Sequence, residues 1–232
     1  MNNAIVLTDG LLMTSDAKTA HGLIRGTERF NIIGLVDGEA NAGKDAGFLL
    51  DGKHRGIPVF ATMDAAIEAL EKVDYLIIGV ATVGGRLPKN MLALIYDAVK
   101  KGISVVNGLH EYLNEKADLV DIAASTGAQL IDVRKPKSRA DLHFWDGAIF
   151  NVTAPIVAVI GMDCAMGKRT TARMLKQACN AEGMKAEMIY TGQTGWLQGG
   201  KYGFVFDSTL NDFVSGELEH AIVSCWKETQ PD

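Results

Sequence analysis

Between Ile156 and Ala172 the chain reads IVAVIGMDCAMGKRTTA, and its residue types suit phosphate chemistry. Glycines let a backbone turn sharply and bring its N–H groups close to an anion. A helix start adds the positive end of its dipole, and a lysine adds a mobile charge at the outer phosphates. The apolar run, Gly161, the Gly167–Lys168 pair and the helical pattern that follows supply each of these parts. Five residues separate Gly161 from Gly167, where the common loop has four. Arg169 stands where a Mg²⁺-binding Ser or Thr is usual, with Thr170 and Thr171 next. Gly161, Asp163, Cys164, Gly167, Lys168, Arg169, Thr170 and Thr171 are therefore the candidate contacts for a phosphate-bearing cofactor. ATP is one such ligand, and a phosphate of coenzyme A is another. Thr170, or Thr171 after a small shift of the helix start, is the candidate ligand for Mg²⁺. Amides around Cys164 would favour its thiolate.

Further along, YTGQTGWLQGGKYGFVFDSTLNDF follows a strand pattern directly, the place where α/β proteins hold ligands. Gln193, Thr194 and Trp196 are candidate pocket residues. Asp207 and Asp212 could reach a metal or an amine, and Asp212 could equally cap a helix. In the first half, only Gly10 follows the first strand, so the dinucleotide G-x-G-x-x-G is absent although Asp37 ends the second strand. Lys18, His21 and Arg25 share a helix face. Gly84, Gly85 and Arg86 form another glycine turn ahead of a helix, suited to a phosphate or carboxylate.

The elements that must position these groups alternate in type. Strand patterns cover AIVL (4–7), FNIIGLV (30–36), IPVF (57–60), YLIIGV (75–80), ISVV (103–106) and QLIDV (129–133). Several are apolar on both faces, as buried parallel strands are. Thr62 suits the cap of a helix to about Lys72. Pro88 suits the start of another, ended by Gly102, and Gly127 ends a third. The fold class expected is α/β: a Rossmann-like, doubly wound parallel sheet, then a P-loop α/β domain. The basic stretch VRKPKSRADLHFWDGAIFNVTAP marks the connection, giving domains of 1–150 and 151–232. In the second, strands are expected at Ile156–Ile160 and AEMIY (186–190). A helix to about Glu182 should bury Ala172, Leu175, Ala178 and Cys179. A last helix, from about Asp212 to Glu228, should bury Phe213, Leu218, Ile222 and Trp226. Two strands in fewer than eighty residues are too few for a parallel sheet, so the second domain reads as incomplete.

Composition narrows the function classes. The chain has 232 residues, 47% apolar and 22% charged, with a net charge of −5. That balance argues against a general nucleic-acid surface. Three cysteines without a C-x-x-C pair argue against a disulfide framework or zinc site and fit a reducing cytoplasm. No signal peptide or membrane-spanning run is expected.

The loop resembles that of dethiobiotin synthetase, where a G-x-D pattern and five-residue spacing also precede GK. More broadly, AKTAHGLIRG, GLVDGE, DVRKP, GMDCAMGKRTTA, YTGQTGW and NDFVSGELEHA resemble a domain-of-unknown-function family. That family pairs a Rossmann-like N-terminal domain with a P-loop C-terminal domain, and its assigned branch is D-glutamate N-acetyltransferase. The resemblance implies an acetyl-CoA-dependent enzyme of D-glutamate catabolism. Lys168 would hold phosphate, Asp207 would accept the amine's proton, and Arg134 or Lys135 would neutralise the amino acid's carboxylates. It also implies a chain that continues past Asp232, and a homo-oligomer is expected. An ATP-dependent ligase or kinase, or a non-catalytic nucleotide-binding module, is the alternative.

Overall fold

The structure is a computed structural model describing residues 1–163 and 166–232. The chain forms two compact units. One comprises Met1–Lys135 with Leu197–Gly199, the other Pro136–Trp196 with Gly200–Asp232. The basic stretch 136–150 thus groups with the second unit.

In the first unit the expected βα alternation is realised. Strands β1 (Asn2–Leu7), β2 (Phe30–Val36), β3 (Val59–Phe60), β4 (Tyr75–Ile78), β5 (Ser104–Asn107) and β6 (Leu130–Asp132) form one sheet in the order β3-β2-β1-β4-β5-β6. Every pairing is parallel. This is the doubly wound order, with its switch point between β1 and β4. Both faces are covered, so the strands read as unbroken apolar runs. Ile5, Leu7, Leu76 and Ile78 share a core with helices α3 (Met63–Ala69), α4 (Lys89–Lys100) and α5 (Ala117–Thr126). On the other face Val6 lies against Gly79, where an added Cβ would come within 2.5 Å of Val6 Cγ1 and 3.0 Å of Ala20. Ala20 belongs to α1 (Lys18–Ile24), and α2 (Ala46–Asp51) packs beside α1.

The helix ends follow the local chemistry. Thr62 accepts from the Ala65 N–H, and Gly127 closes α5 in the left-handed region. Helix α3 stops at Ala69, short of the expected Lys72, because Leu70 turns extended and packs into the core against Gly34.

Asp37 has a role of its own. It is 1% exposed, and its carboxylate accepts from Thr8 Oγ1 (2.6 Å), Gly10 N (3.0 Å), Leu12 N (2.9 Å) and Asn41 Nδ2 (2.7 Å). A dinucleotide fold uses an acid here for ribose. In this chain the carboxylate instead fastens the turn after β1.

The second unit departs from expectation. Ile156–Ile160 forms no hydrogen-bonded strand, and Ile156, Val157 and Ile160 are 57%, 77% and 86% exposed. AEMIY makes a single parallel bridge, Tyr190 with Gly203. Helix α6 (Lys168–Ala181) ends where expected but buries none of its residues, and Leu175 is 47% exposed. The apolar patterns are those of buried elements, yet the described residues of this unit offer them no sheet to pack on. After the short helix α7 (Gln193–Leu197), helix α8 (Val214–Thr229) is buried through Gly216, Glu217, Glu219, Ala221, Val223 and Cys225. Leu218, assigned to the inner face, is 39% exposed. The face is rotated because Glu217 and Glu219 are drawn inward by hydrogen bonds.

Replacing Asp37 with alanine removes the acceptor of Gly10 N, Leu12 N and Asn41 Nδ2 and leaves Thr8 Oγ1 with Val36 O alone. Hydrogen bonds to a buried charge are each worth about 1.5–3 kcal/mol. Asp37→Ala should therefore lower the unfolding free energy by about 3 kcal/mol or more. A shifted urea midpoint at constant slope would show it.

Candidate functional site

The phosphate loop is built from local rules. Gly167 is left-handed (φ 88°, ψ 5°) and ends the loop, so that α6 begins at Lys168. No side chain caps the helix start, which leaves the first-turn amides of a fourteen-residue helix facing the loop. Lys168 folds back over Gly161: a Cβ there would meet Lys168 Cγ at 3.1 Å and Cδ at 3.2 Å. Its Nζ donates to the Asp163 carbonyl. Arg169 and Thr170 are half-buried in the first turn, Thr171 is exposed, and the Thr171 N–H donates to Gly167 O at 2.8 Å. A lysine, a glycine hinge and an uncapped helix start therefore meet at one place, and this arrangement fits a phosphate group. Cys164 lies outside the described residues.

The downstream glycines have a packing explanation. A Cβ on Gly195, Gly200 or Gly203 would come within 2.2, 2.5 and 2.1 Å of Tyr190 atoms, so the glycine-rich run wraps this tyrosine. Gln193 and Thr194 are buried at 8% and 5% exposure, and Trp196 is half-buried, all in α7. Residues 197–199 belong to the first unit, where Gln198 Nε2 donates to Gly22 O (2.7 Å) and Gly26 O (3.1 Å).

Asp207 and Asp212 are exposed in consecutive 3₁₀ turns, Phe206–Ser208 and Asn211–Phe213. Asp212 is not the cap of α8, whose N-cap position is Phe213.

Arg134 and Lys135 belong to the first unit. Arg134 is buried, with Nε donating to Gly108 O (2.7 Å) and Nη1 meeting His110 Nε2 (2.9 Å), so it braces the turn after β5. Lys135 Nζ donates to Asn114 Oδ1 at 2.7 Å. In the same unit Gly84, Gly85, Arg86, His110 and Glu111 line an open cavity of about 470 Å³. On the basic helix face, His21 Nε2 lies 2.7 Å from Leu12 O and Arg25 reaches the His21 carbonyl.

A polar cluster in the second unit escaped the sequence reading. Glu217, with a side chain 2% exposed, accepts from Lys137 Nζ (2.6 Å), the His143 N–H (3.0 Å) and His143 Nδ1 (2.7 Å). Glu219 accepts from Asp146 N (2.8 Å) and Ile149 N (3.1 Å). His143 stacks on His220 with ring centroids 3.5 Å apart and planes 8° apart. Gly216 makes this seating possible, since a Cβ there would lie 2.1 Å from His143 O. Glutamates on a helix usually face water, so periodicity gave no reason to turn these inward. The available signal was NDFVSGELEHA, which contains Gly216, Glu217, Glu219 and His220.

Electrostatics of the cluster follow from these contacts. Burial pushes the Glu217 carboxyl up, but Lys137 and the two His143 donors outweigh it and hold the group below its ordinary value of 4.5. Burial, and then His143, hold the His220 imidazole below its ordinary 6.5.

The fold and loop define a class: a two-domain α/β protein, a Rossmann-like sheet followed by a P-loop domain. The chain belongs to the DUF1611 family, whose Rossmann-like domain (DUF1611_N) matches residues 39–136 and whose P-loop domain (DUF1611_C) matches residues 143–232, both described as of unknown function. Two curated relatives bear the name D-glutamate N-acetyltransferase. The one from Tritonibacter scottomollicae is 33% identical over 145 residues, covering 62% of this chain and 42% of the relative. The one from a Pseudoalteromonas species is 31% identical over 143 residues, with the same shares. The match thus spans less than half of either relative's length. A DUF1611 protein from Anabaena variabilis has a crystal structure similar to this one, with a TM-score of 0.87 and 29% identity over 99% of this chain and 64% of that one. Among the described residues no helix is long and apolar enough to cross a membrane, and no cluster of three or more His, Cys, Asp or Glu is placed to hold a metal.

The lowered Glu217 carboxyl links to stability with a definite sign. A depressed folded-state value contributes stability that is fully present above the ordinary 4.5 and lost as pH falls through the lower folded value. Thermal midpoints measured from pH 6 down to pH 3 should therefore fall more steeply for the native protein than for Glu217→Gln. Parallel curves would contradict the ion pair's role.

Proposed function

We propose that this protein is an N-acetyltransferase that moves the acetyl group of acetyl-CoA to the amino group of D-glutamate. The observation that carries the reading is the Lys168 ammonium folded over Gly161 at the uncapped start of α6. It is a site for a phosphate-bearing acyl carrier in a chain similar to two proteins named for this reaction. Acetyl-CoA supplies the activated acetyl group. Lys168 and the N–H groups of the first turn of α6 hold a phosphate of the carrier. Gly161 leaves room for the lysine stem, and Arg169 adds a second cation to the same turn.

Arg169 also bears on the second reading, an ATP-dependent ligase or kinase of the dethiobiotin-synthetase type. That chemistry uses a hydroxyl directly after the lysine for Mg²⁺. Here the nearest hydroxyls are Thr170, half-buried, and Thr171, exposed, one and two positions further on. A phosphate cradle that neutralises charge with Lys and Arg needs no metal. The loop therefore favours coenzyme A over ATP–Mg²⁺.

Losing a charge-assisted hydrogen bond costs about 1.5–3 kcal/mol, and 1.4 kcal/mol is tenfold in affinity. Lys168→Ala should weaken acetyl-CoA binding by about tenfold or more, read by calorimetry. Thiol release with D-glutamate but not L-glutamate should accompany acetyl-CoA turnover in the native protein. Tight ATP–Mg²⁺ binding that depends on Lys168, with no response to acetyl-CoA, would overturn the proposal in favour of the ligase reading.

A further inference from the structure

We propose that Nε2 of His143 accepts the proton of the substrate ammonium group, with Glu217 as its positioning residue. This inference rests on the acetyl-transfer reading and names the group that makes the amine nucleophilic.

The geometry is that of a carboxylate–imidazole pair. Glu217 Oε1 lies 2.7 Å from His143 Nδ1 and 3.0 Å from the His143 backbone N–H. An ionised carboxylate only accepts, so the ring proton sits on Nδ1 and the Nε2 lone pair is left available. Backbone and ring of one residue are both tied to the same oxygen, which fixes the ring's direction. The carboxylate is fixed in turn, 2% exposed and held on Oε2 by Lys137 Nζ. Gly216 lets the His143 carbonyl sit directly on α8. The His143 side chain is 43% exposed, so part of the ring is open to solvent. Next in the chain, Phe144 packs on Phe213 at 4.1 Å while remaining 66% exposed, and Trp145 is 50% exposed.

The charges around the ring suit a base. Glu217 and Lys137 largely cancel, and His220, stacked on His143, has Lys227 as a further cationic neighbour. Two imidazoliums at stacking distance repel, so the pair resists holding two protons. His143 has an acceptor nitrogen oriented by a fixed carboxylate, whereas Asp207 and Asp212 sit exposed in 3₁₀ turns. That comparison moves the role of base from Asp207 and Asp212 to His143.

The balance of the step is simple. One ammonium proton passes to Nε2 and then to water. The freed nitrogen lone pair forms the C–N bond at the acetyl carbon. The C–S bond breaks with its electron pair on sulfur, which takes the nitrogen's second proton as free thiol. No oxidant or reductant is required.

The test compares native protein with His143→Gln, His143→Ala and Glu217→Gln, using acetyl-CoA and D-glutamate. Circular dichroism and acetyl-CoA calorimetry confirm folding and cofactor binding. General-base catalysis contributes about 10²–10⁴-fold, so His143→Gln should lower kcat by about 100-fold or more with the KM for acetyl-CoA unchanged. The acid limb of the native kcat/KM profile should vanish in His143→Gln, and added imidazole should restore turnover to His143→Ala. In Glu217→Gln the limb should persist but shift, with a smaller loss of kcat. An active native enzyme whose His143→Gln variant keeps its kcat and its acid limb would overturn this inference alone. A native protein that acetylates nothing would overturn the acetyl-transfer reading and this inference with it.

Discussion

A parallel strand needs cover on both of its faces, and this requirement separates the behaviour of the two units. In the first, six strands and the helices around them satisfy it completely. Ile5, Leu7, Leu76 and Ile78 are inaccessible to solvent on one face, and Val6 and Ile77 on the other. Once the sheet is closed in this way, polar groups gather at its edges, and a set of them lies at the carboxyl edge. Asp37, His110, Glu111, Asp132 and Arg134 all lie there or just beyond. Most of them are engaged in holding turns: Asp37 that after β1, and Asp132 and Arg134 the segment after β5.

The second unit meets the same requirement differently. Its apolar segment Ile156–Ile160 and the helix α6 remain exposed among the described residues. Its order comes instead from polar anchors. Two buried glutamates on α8 gather the irregular segment from Lys137 to Ile149 through hydrogen bonds to its backbone and side chains. A buried carboxylate is costly unless its partners are complete. Glu217, with three donors, has them. The same contacts that secure the segment also fix the orientation of the His143 ring.

The first unit was legible because its signals are local and agree with one another. β-Branched runs such as FNIIGLV gave β2 to the residue, and Thr62 and Gly127 marked helix ends by mechanisms that do not depend on the rest of the chain. The turn at Gly167 and the start of α6 at Lys168 were legible for the same reason, since both follow from backbone rules. Three features were not. Gly195, Gly200 and Gly203, in the stretch read as a ligand loop, make room for Tyr190, a contact no spacing rule encodes. Arg134 was assigned to a substrate carboxylate, and its partners at Gly108 and His110 lie more than twenty residues back in the chain. The inward turn of Glu217 and Glu219 rotated the buried face of α8, because hydrogen bonds to a distant segment overrode amphipathic periodicity. Long-range polar pairing is the information that a single sequence withholds.

Under the proposed function, the P-loop holds an acyl carrier by charge and backbone. A crystal structure of the protein with coenzyme A tests that claim most directly. The account predicts a carrier phosphate within hydrogen-bond distance of Lys168 Nζ and of the N–H groups in the first turn of α6. Coenzyme A seated at the first unit's Arg86 cavity, with Lys168 still folded onto Asp163, would contradict it.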